Sequence, residues 1–252
     1  MEQDAFVNLT PDTVERESVC CIIRRGAHPG IDAKRAWLAA RLPEGHVFRR
    51  HRDEDCVMIE YAPLETAWVP IVGDNFYYIY CLWVQGAPKG KGYGTALMEY
   101  CLADARAHGR SGVCMLGADK QKAWLSDQRF AMRFGFCPVD RTPDGYTLLS
   151  LSFDGTQPAF TPAARQGTIP EKEPTVYYDD QCPFTAGRIE KLRAFCEEAH
   201  ISVRLIHVES REQAKALPCV FNNFAVLCGG HLVTVNQIDG PALLKIISHA
   251  SP

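Results

Sequence analysis

The run Leu82-Trp83-Val84-Gln85-Gly86-Ala87-Pro88-Lys89-Gly90-Lys91-Gly92-Tyr93-Gly94-Thr95 concentrates more potential chemistry than any other stretch of this sequence. An apolar strand pattern ends in a glycine-rich turn, and a helix pattern begins at once. Glycines at 90, 92 and 94 let the backbone approach a bulky anion with no Cβ in the way. The first amides of a helix have no partner inside it and lie at the positive end of its dipole, which favours a phosphate there. Lys89 and Lys91 add positive charge. The chemistry implied is phosphate or pyrophosphate binding. A Walker A loop needs a Ser or Thr after its lysine, but Lys91 is followed by Gly92; a dinucleotide fingerprint from Gly90 needs glycine at 95, where Thr95 stands.

Glu60 interrupts the apolar run Val57-Met58-Ile59-Glu60-Tyr61. A carboxylate in such a run lies on a solvated face or is held in a pocket with a raised pKa, which makes Glu60 a candidate base. Asp127, after Ser126, reads as the N-cap of a short helix. Eleven cysteines, an odd and scattered set without CxxC or zinc-like Cys/His spacing, read as reduced thiols, most of them buried; no metal is expected.

The elements that must position these groups follow from periodicity. Phe6 to Leu9 reads as a short strand. Thr10-Pro11-Asp12 starts a helix to about Arg25 that carries Cys20-Cys21, and Asp32 caps a second helix through Arg41 with Ala36, Trp37 and Ala40 on its apolar side. Two hairpin strands (46–50 and 56–61), a long strand (77–84), a helix (92–108), a strand (113–116), a short helix (124–134) and a strand (146–153) complete a mixed α/β layer. The proline-rich stretch Asp154 to Pro174 reads as a linker without helix or inner strand. Three segments result: a domain over 1–153, the linker over 154–174, and a smaller domain over 175–252, with order β-α-β-α-β-β-α.

With 27 Lys+Arg against 30 Asp+Glu in 252 residues, the net charge of −3 creates no field for nucleic acid or anionic membrane. The acidic start, Met1-Glu2-Gln3-Asp4, is unlike a signal peptide, and no stretch reaches the roughly 20 apolar residues of a membrane span. A cytoplasmic protein is expected, and a homodimer is left open.

Lys89-x-x-Gly92-x-Gly94 directly after Leu82 and Val84, with Gly135-Phe136 after a short helix, resembles the acyl-CoA signature of the GNAT acetyltransferases. The strings Val19-Cys20-Cys21-Ile22, Ile59-Glu60-Tyr61-Ala62-Pro63, Ala67-Trp68-Val69-Pro70-Ile71 and Leu125-Ser126-Asp127 resemble GNAT proteins that carry a YoaP-like C-terminal domain. The resemblance implies an acetyl-CoA-dependent N-acetyltransferase acting on a small-molecule or peptide amine. It implies that Leu82, Trp83 and Val84 lie along the pantetheine arm, that the amides from Lys89 to Thr95 hold the pyrophosphate, and that an N–H near Leu82 meets the thioester carbonyl. The family's acid tyrosine is replaced by Ala131, and Tyr80 or a water is the substitute acid. The second domain resembles a thioredoxin fold, with Cys182-Pro183-Phe184-Thr185 in place of the redox CxxC and Pro218 at the cis-proline position. Cys182 at a helix start favours thiolate, and Cys219 is expected near it. The competing functions are a non-catalytic acyl-CoA-binding protein and a thiol-redox or soft-metal protein acting through Cys182 and Cys219.

Overall fold

Nine strand-forming residues, Phe76–Val84, make the spine of a seven-stranded sheet. The computed structural model describes residues 5–19, 21 and 28–250. In chain order the elements around that spine are β1 (Phe6–Asn8), α1 (Gly30–Arg41), β2 (Val47–His51), β3 (Val57–Pro63), β4 (Ile71–Val72), β5 (Phe76–Val84), α2 (Tyr93–Ala107), β6 (Gly112–Ala118), α3 (Gln128–Met132), β7 (Cys137–Arg141) and β8 (Tyr146–Ser152). The sheet order is β1-β2-β3-β5-β6-β8-β7, and only β5 and β6 run parallel, joined through α2. The fold class is the expected mixed α/β.

Two departures from regular pairing shape this sheet. β5 and β6 share the rungs from Phe76↔Gly112 to Ile79↔Met115, after which β6 runs on to Ala118 beside β8 alone. Beyond Ile79 the two strands therefore part, leaving a gap with backbone on both sides. Between β3 and β5 the register jumps from Glu60↔Cys81 to Tyr61↔Ile79, so Tyr80 sits in a bulge. A bulge re-aims the side chain it carries.

One face of the sheet is covered by α2, whose Leu97, Met98, Cys101, Leu102 and Ala105 follow the helical period and pack on Ile59, Tyr77, Ile79 and Val113. The other face meets Trp37 and Leu38 of α1 and the remainder of the chain. That remainder comprises β9 (Ala159–Phe160), α4 (Pro162–Gln166), β10 (Thr175–Tyr178), α5 (Phe184–Glu198), β11 (Arg204–His207), α6 (Arg211–Lys215), β12 (Phe224–Cys228), β13 (His231–Thr234) and α7 (Gly240–Ala250). Its four strands form a second sheet in the order β11-β10-β12-β13, with β10 parallel to β11 and antiparallel to β12. Leu217, Val220, Leu227 and Val235 join Leu116, Tyr146 and Leu148 of the large sheet in one apolar core. Lys215 Nζ donates to the carbonyls of Leu64 (2.7 Å) and Ile71 (3.1 Å). At Gly30 the α1 N-terminus touches Pro183, and a Cβ there would lie 1.8 Å from the Pro183 carbonyl oxygen.

Several expectations are corrected. The helix from Thr10 to Arg25 is replaced, over its described part, by turns closed by Val14 N–H on Thr10 O and Glu17 N–H on Thr13 O; Glu17 is drawn out to Arg50, 2.6 Å away. Cys20 and the positions from 22 to 27 lie outside the described residues. On α1, Trp37 is buried but Ala36 and Ala40 are exposed; the buried face is Gly30, Lys34, Trp37 and Leu38. The helix from 124 to 134 shrinks to α3, because Trp124 has φ +65° and Asp127, as read, caps the helix by accepting from Arg129 N–H. The proline-rich stretch holds α4, since Pro162 occupies the first helical position, where its missing N–H costs nothing. No cis peptide bond occurs among the described residues, the bond before Pro218 included. No helix among them is long and apolar enough to cross a membrane.

Candidate active site

The glycine turn delivers the chain from β5 into α2 along a groove of about 770 Å³. Leu82, Trp83, Val84, Lys89, Gly90, Gly92, Tyr93, Gly94 and Thr95 all line it. Gly92, the residue before α2, has φ +82°, a left-handed conformation that a side chain resists, and Gly90 shares it. The Lys89 and Lys91 amides close turns on the carbonyls of Gly86 and Pro88. The amides of Tyr93, Gly94 and Thr95, in the first turn of α2, are the ones a helix leaves for an anion. Lys91 is the exception in the predicted set: its Nζ is paired with Glu54, 2.9 Å away, and it does not line the groove. Arg133, at the end of α3, lines the groove and was not foreseen.

The mouth of the gap between β5 and β6 is closed by two side chains. Leu82 N–H donates to Ser126 Oγ (3.1 Å), and Ala118 N–H donates to Gln128 Oε1 (2.8 Å). The amide expected to meet a thioester carbonyl thus carries a hydroxyl that would have to move or share. Ala131 lines the groove where the family acid would stand, with no proton to give.

A second cavity of about 330 Å³ adjoins the groove, and Trp83, Ala123, Trp124, Leu125 and Ser126 wall both. Glu60 and Tyr80 line this cavity, as does Cys182; Cys219 lines neither cavity. Glu60 is 1% exposed. Its Oε1 accepts from Lys34 Nζ (2.5 Å) and His46 Nε2 (2.9 Å), and its Oε2 accepts from Gln181 Nε2 (2.9 Å). Burial alone would raise the Glu60 pKa, but the Lys34 charge and the His46 hydrogen bond outweigh it and hold the carboxyl below its ordinary value. The raised value expected from the apolar run is therefore reversed, because the run does not show the lysine. Burial lowers the His46 pKa despite Glu60, so its Nε2 carries the proton it donates to the carboxylate.

Tyr80 Oη accepts from Trp68 N–H (2.6 Å), which leaves its own proton to donate. Burial keeps that hydroxyl protonated, well above the ordinary tyrosine range, against the pull of the Trp68 bond. Cys182 is half-buried at the cavity wall. Burial and the neighbouring Cys21 push its thiol up to about 12, although Phe184 N–H and the Gln237 amide favour thiolate. Cys219 is fully buried in the core, where burial likewise raises its thiol pKa. Cys182 and Cys219 are free thiols, and no cluster of three or more His, Cys, Asp or Glu among the described residues is arranged to hold a metal ion.

The part of the wall that pattern reading missed comes from the second sheet. Gln181 reaches Glu60; Asn223 Nδ2 donates to Gln181 Oε1 (3.1 Å), and Gln237 Nε2 donates to Asn223 Oδ1 (2.9 Å). Asn222 Nδ2 donates to the Trp124 carbonyl (2.8 Å). Behind this chain lies Asp179, whose Oδ1 accepts from Gln181 N–H (3.0 Å) and whose Oδ2 has no partner. Burial raises its pKa to about 7, with Asp180 and Glu60 adding to the rise. A raised acid contributes full stability below its unfolded value of 3.8 and loses it as the pH climbs through about 7. Asp179→Asn is thus expected to stabilise the protein by about 1–3 kcal/mol at pH 8, with the gain shrinking toward pH 4. Denaturant midpoints at the two pH values check this; a difference independent of pH would count against it.

The Acetyltransferase (GNAT) family model matches residues 14–136, and the YoaP-like model matches residues 203–245. A Bacillus subtilis (strain 168) protein described as the uncharacterized N-acetyltransferase YoaP is 36% identical over 91% of this chain and 92% of its own. Among solved structures, a GNAT family acetyltransferase from Brucella melitensis in complex with acetyl-CoA is 19% identical, covering 62% of this chain and 92% of its own at a TM-score of 0.40. The PaiA N-acetyltransferase from Thermoplasma acidophilum in complex with coenzyme A is 11% identical, covering 59% and 99% at 0.41.

Proposed function

Because the chain belongs to the GNAT family of acetyltransferases, we propose that it moves the acetyl group of acetyl-CoA onto an amine held in the smaller cavity, beside Glu60. The observation that carries this reading is the wall shared by groove and cavity, Trp83 with Ala123 to Ser126. A thioester laid along β5 would end where an amine beside Glu60 begins.

In this reading the α2 amides hold the pyrophosphate and the gap beyond Ile79 takes the pantetheine arm. The amine nitrogen attacks the thioester carbonyl, a C–N bond forms, and the C–S bond breaks. Ionised Glu60 receives the proton the amine must shed, directly or through a water. Its depressed pKa makes it a weak base that is ready at every pH near neutrality. Tyr80 offers its O–H to the departing sulfur as negative charge develops there. Ser126 Oγ and, once freed from it, Leu82 N–H would serve as donors for the carbonyl oxygen.

The order of the second sheet, with β10 parallel to β11, supports a thioredoxin-like unit over 175–252 joined through 154–174 to an acetyl-CoA-binding unit over 1–153. Its contribution would be the wall Gln181-Cys182-Pro183 and Asn222-Asn223 rather than dithiol exchange. The free thiols of Cys81, Cys101, Cys114, Cys182 and Cys219 accord with a reducing cytoplasm.

The test is release of CoA thiol on adding amines to the purified protein with acetyl-CoA. Amine-dependent release is expected, and Glu60→Gln should lower kcat by about 10²–10⁴ while acetyl-CoA binding persists. A chain that fails to bind acetyl-CoA in calorimetry would remove the proposal.

A further inference from the structure

The geometry points to an acceptor that is a small, largely apolar amine carrying one positive charge, rather than a polyamine, an amino sugar or a lysine on a protein surface. This rests on the acetyl-transfer reading above and narrows it. The size argument comes first. A cavity of about 330 Å³ sits at the lower end of the roughly 300–1,000 Å³ found for small-molecule sites, enough for one ring or a branched side chain with its amine.

Charge is the second argument. Among the described residues the charged side chains on the cavity wall are Glu60 and Lys34, and they are already paired, so the described wall has no net negative charge. A carboxylate offers about four acceptor positions across its two oxygens. Lys34, His46 and Gln181 fill three of those of Glu60, and Oε2 carries one bond where Oε1 carries two. One N–H can be received there. A second ammonium would enter a space walled by Phe48, Met58, Trp83, Trp124 and Leu125, where no other carboxylate among the described residues meets it.

The third argument is the polar inventory of the opposite wall. Gln181 and Asn223 spend their amide oxygens within the second sheet, on Asn223 and Gln237 respectively. Asn222 uses its amide N–H on Trp124, which leaves its carbonyl oxygen for a neutral donor. The wall can therefore recognise one hydroxyl or amide on an apolar acceptor, but among the described residues it supplies nothing that balances a second charge.

The experiment uses the full-length protein with acetyl-CoA and measures thiol release for benzylamine, 2-phenylethylamine and leucine methyl ester. Spermidine, an aminoglycoside and a lysine-containing peptide form the opposing set. The best apolar monoamine should exceed spermidine in kcat/KM by about tenfold or more, the factor that corresponds to about 1.4 kcal/mol. Saturating 2-phenylethylamine should also slow alkylation of Cys182, whose thiol lies on the same wall. Asn222→Asp, nearly isosteric, adds a carboxylate to that wall and should shift the kcat/KM ratio toward spermidine. Leu125→Asp does the same from the groove side, should Asn222→Asp fail to fold. Preference for the polycations or the peptide by wild-type protein overturns the inference, as does acetyl-CoA binding with none of the three monoamines acetylated. In both cases calorimetry would still show the acetyl-CoA site, whereas loss of that binding would strike the underlying reading instead.

Discussion

Lys34→Met is expected to destabilise the folded protein by about 3–5 kcal/mol at pH 7, because it strands the Glu60 carboxylate in the interior without its cation. Lys34 and Glu60 side chains are 1% and 2% exposed, so solvent screens the stranded charge poorly. The double variant Lys34→Met/Glu60→Gln should recover most of the loss, since a neutral amide at 60 buries no charge and its oxygen still accepts from one of the donors His46 and Gln181. The pH dependence has a defined sign. Glu60 has a depressed pKa in the folded state, so its stabilisation is present above the unfolded value of 4.5 and fades as the pH falls through the folded one. The gap between wild type and Lys34→Met should therefore narrow below about pH 4.5. Urea unfolding at pH 7 and pH 4 measures it. A single variant within 1 kcal/mol of wild type at pH 7 would show that the pair is not what holds this face together.

The second large effect concerns the proposed anion site. Gly92→Val places a β-branched side chain at φ +82°, where L-residues pay roughly 1–2 kcal/mol and branched ones more. To relieve that strain the turn must rotate, and the Tyr93, Gly94 and Thr95 amides rotate with it. Acetyl-CoA affinity should fall about 10- to 100-fold, which is about 1.4–2.8 kcal/mol. Gly109→Ala is the matched control. Gly109 has φ +62° with nothing within 4 Å of an added Cβ, and it lies past the far end of α2. It should cost stability but leave affinity unchanged. Calorimetric titration with acetyl-CoA separates the two, and equal affinities for Gly92→Val and wild type would contradict an anion site at this turn.

What the sequence made legible was local. The strand–glycine turn–helix succession of residues 82 to 95 is written in consecutive positions, and β5, α2 and the groove lie where it places them. Glu60 was visible for the same reason, as a carboxylate inside an apolar run. Its environment was not, because each of its partners comes from elsewhere. Lys34 gave a signal that could have been used: it stands at i−3 and i−4 from Trp37 and Leu38, on the buried face of α1. A lysine there must find an anion. β7 was missed because Cys137-Pro138-Val139-Asp140-Arg141 shows no alternation; it is an edge strand, where a proline is tolerated. Gln181 gave no signal at all, since a polar residue before Cys182 looks like any loop residue until the second sheet is laid on the first.

The Gln181–Glu60 hydrogen bond spans 121 positions of chain. On the ribosome, the groove-bearing segment emerges well before the residues that finish the cavity beside it, and domains commonly fold as they emerge. Until those residues arrive, the acceptor cavity proposed beside Glu60 lacks the wall that Gln181, Asn222 and Asn223 provide. In the proposed reading, competence for transfer is thereby tied to completion of translation through at least Asn223.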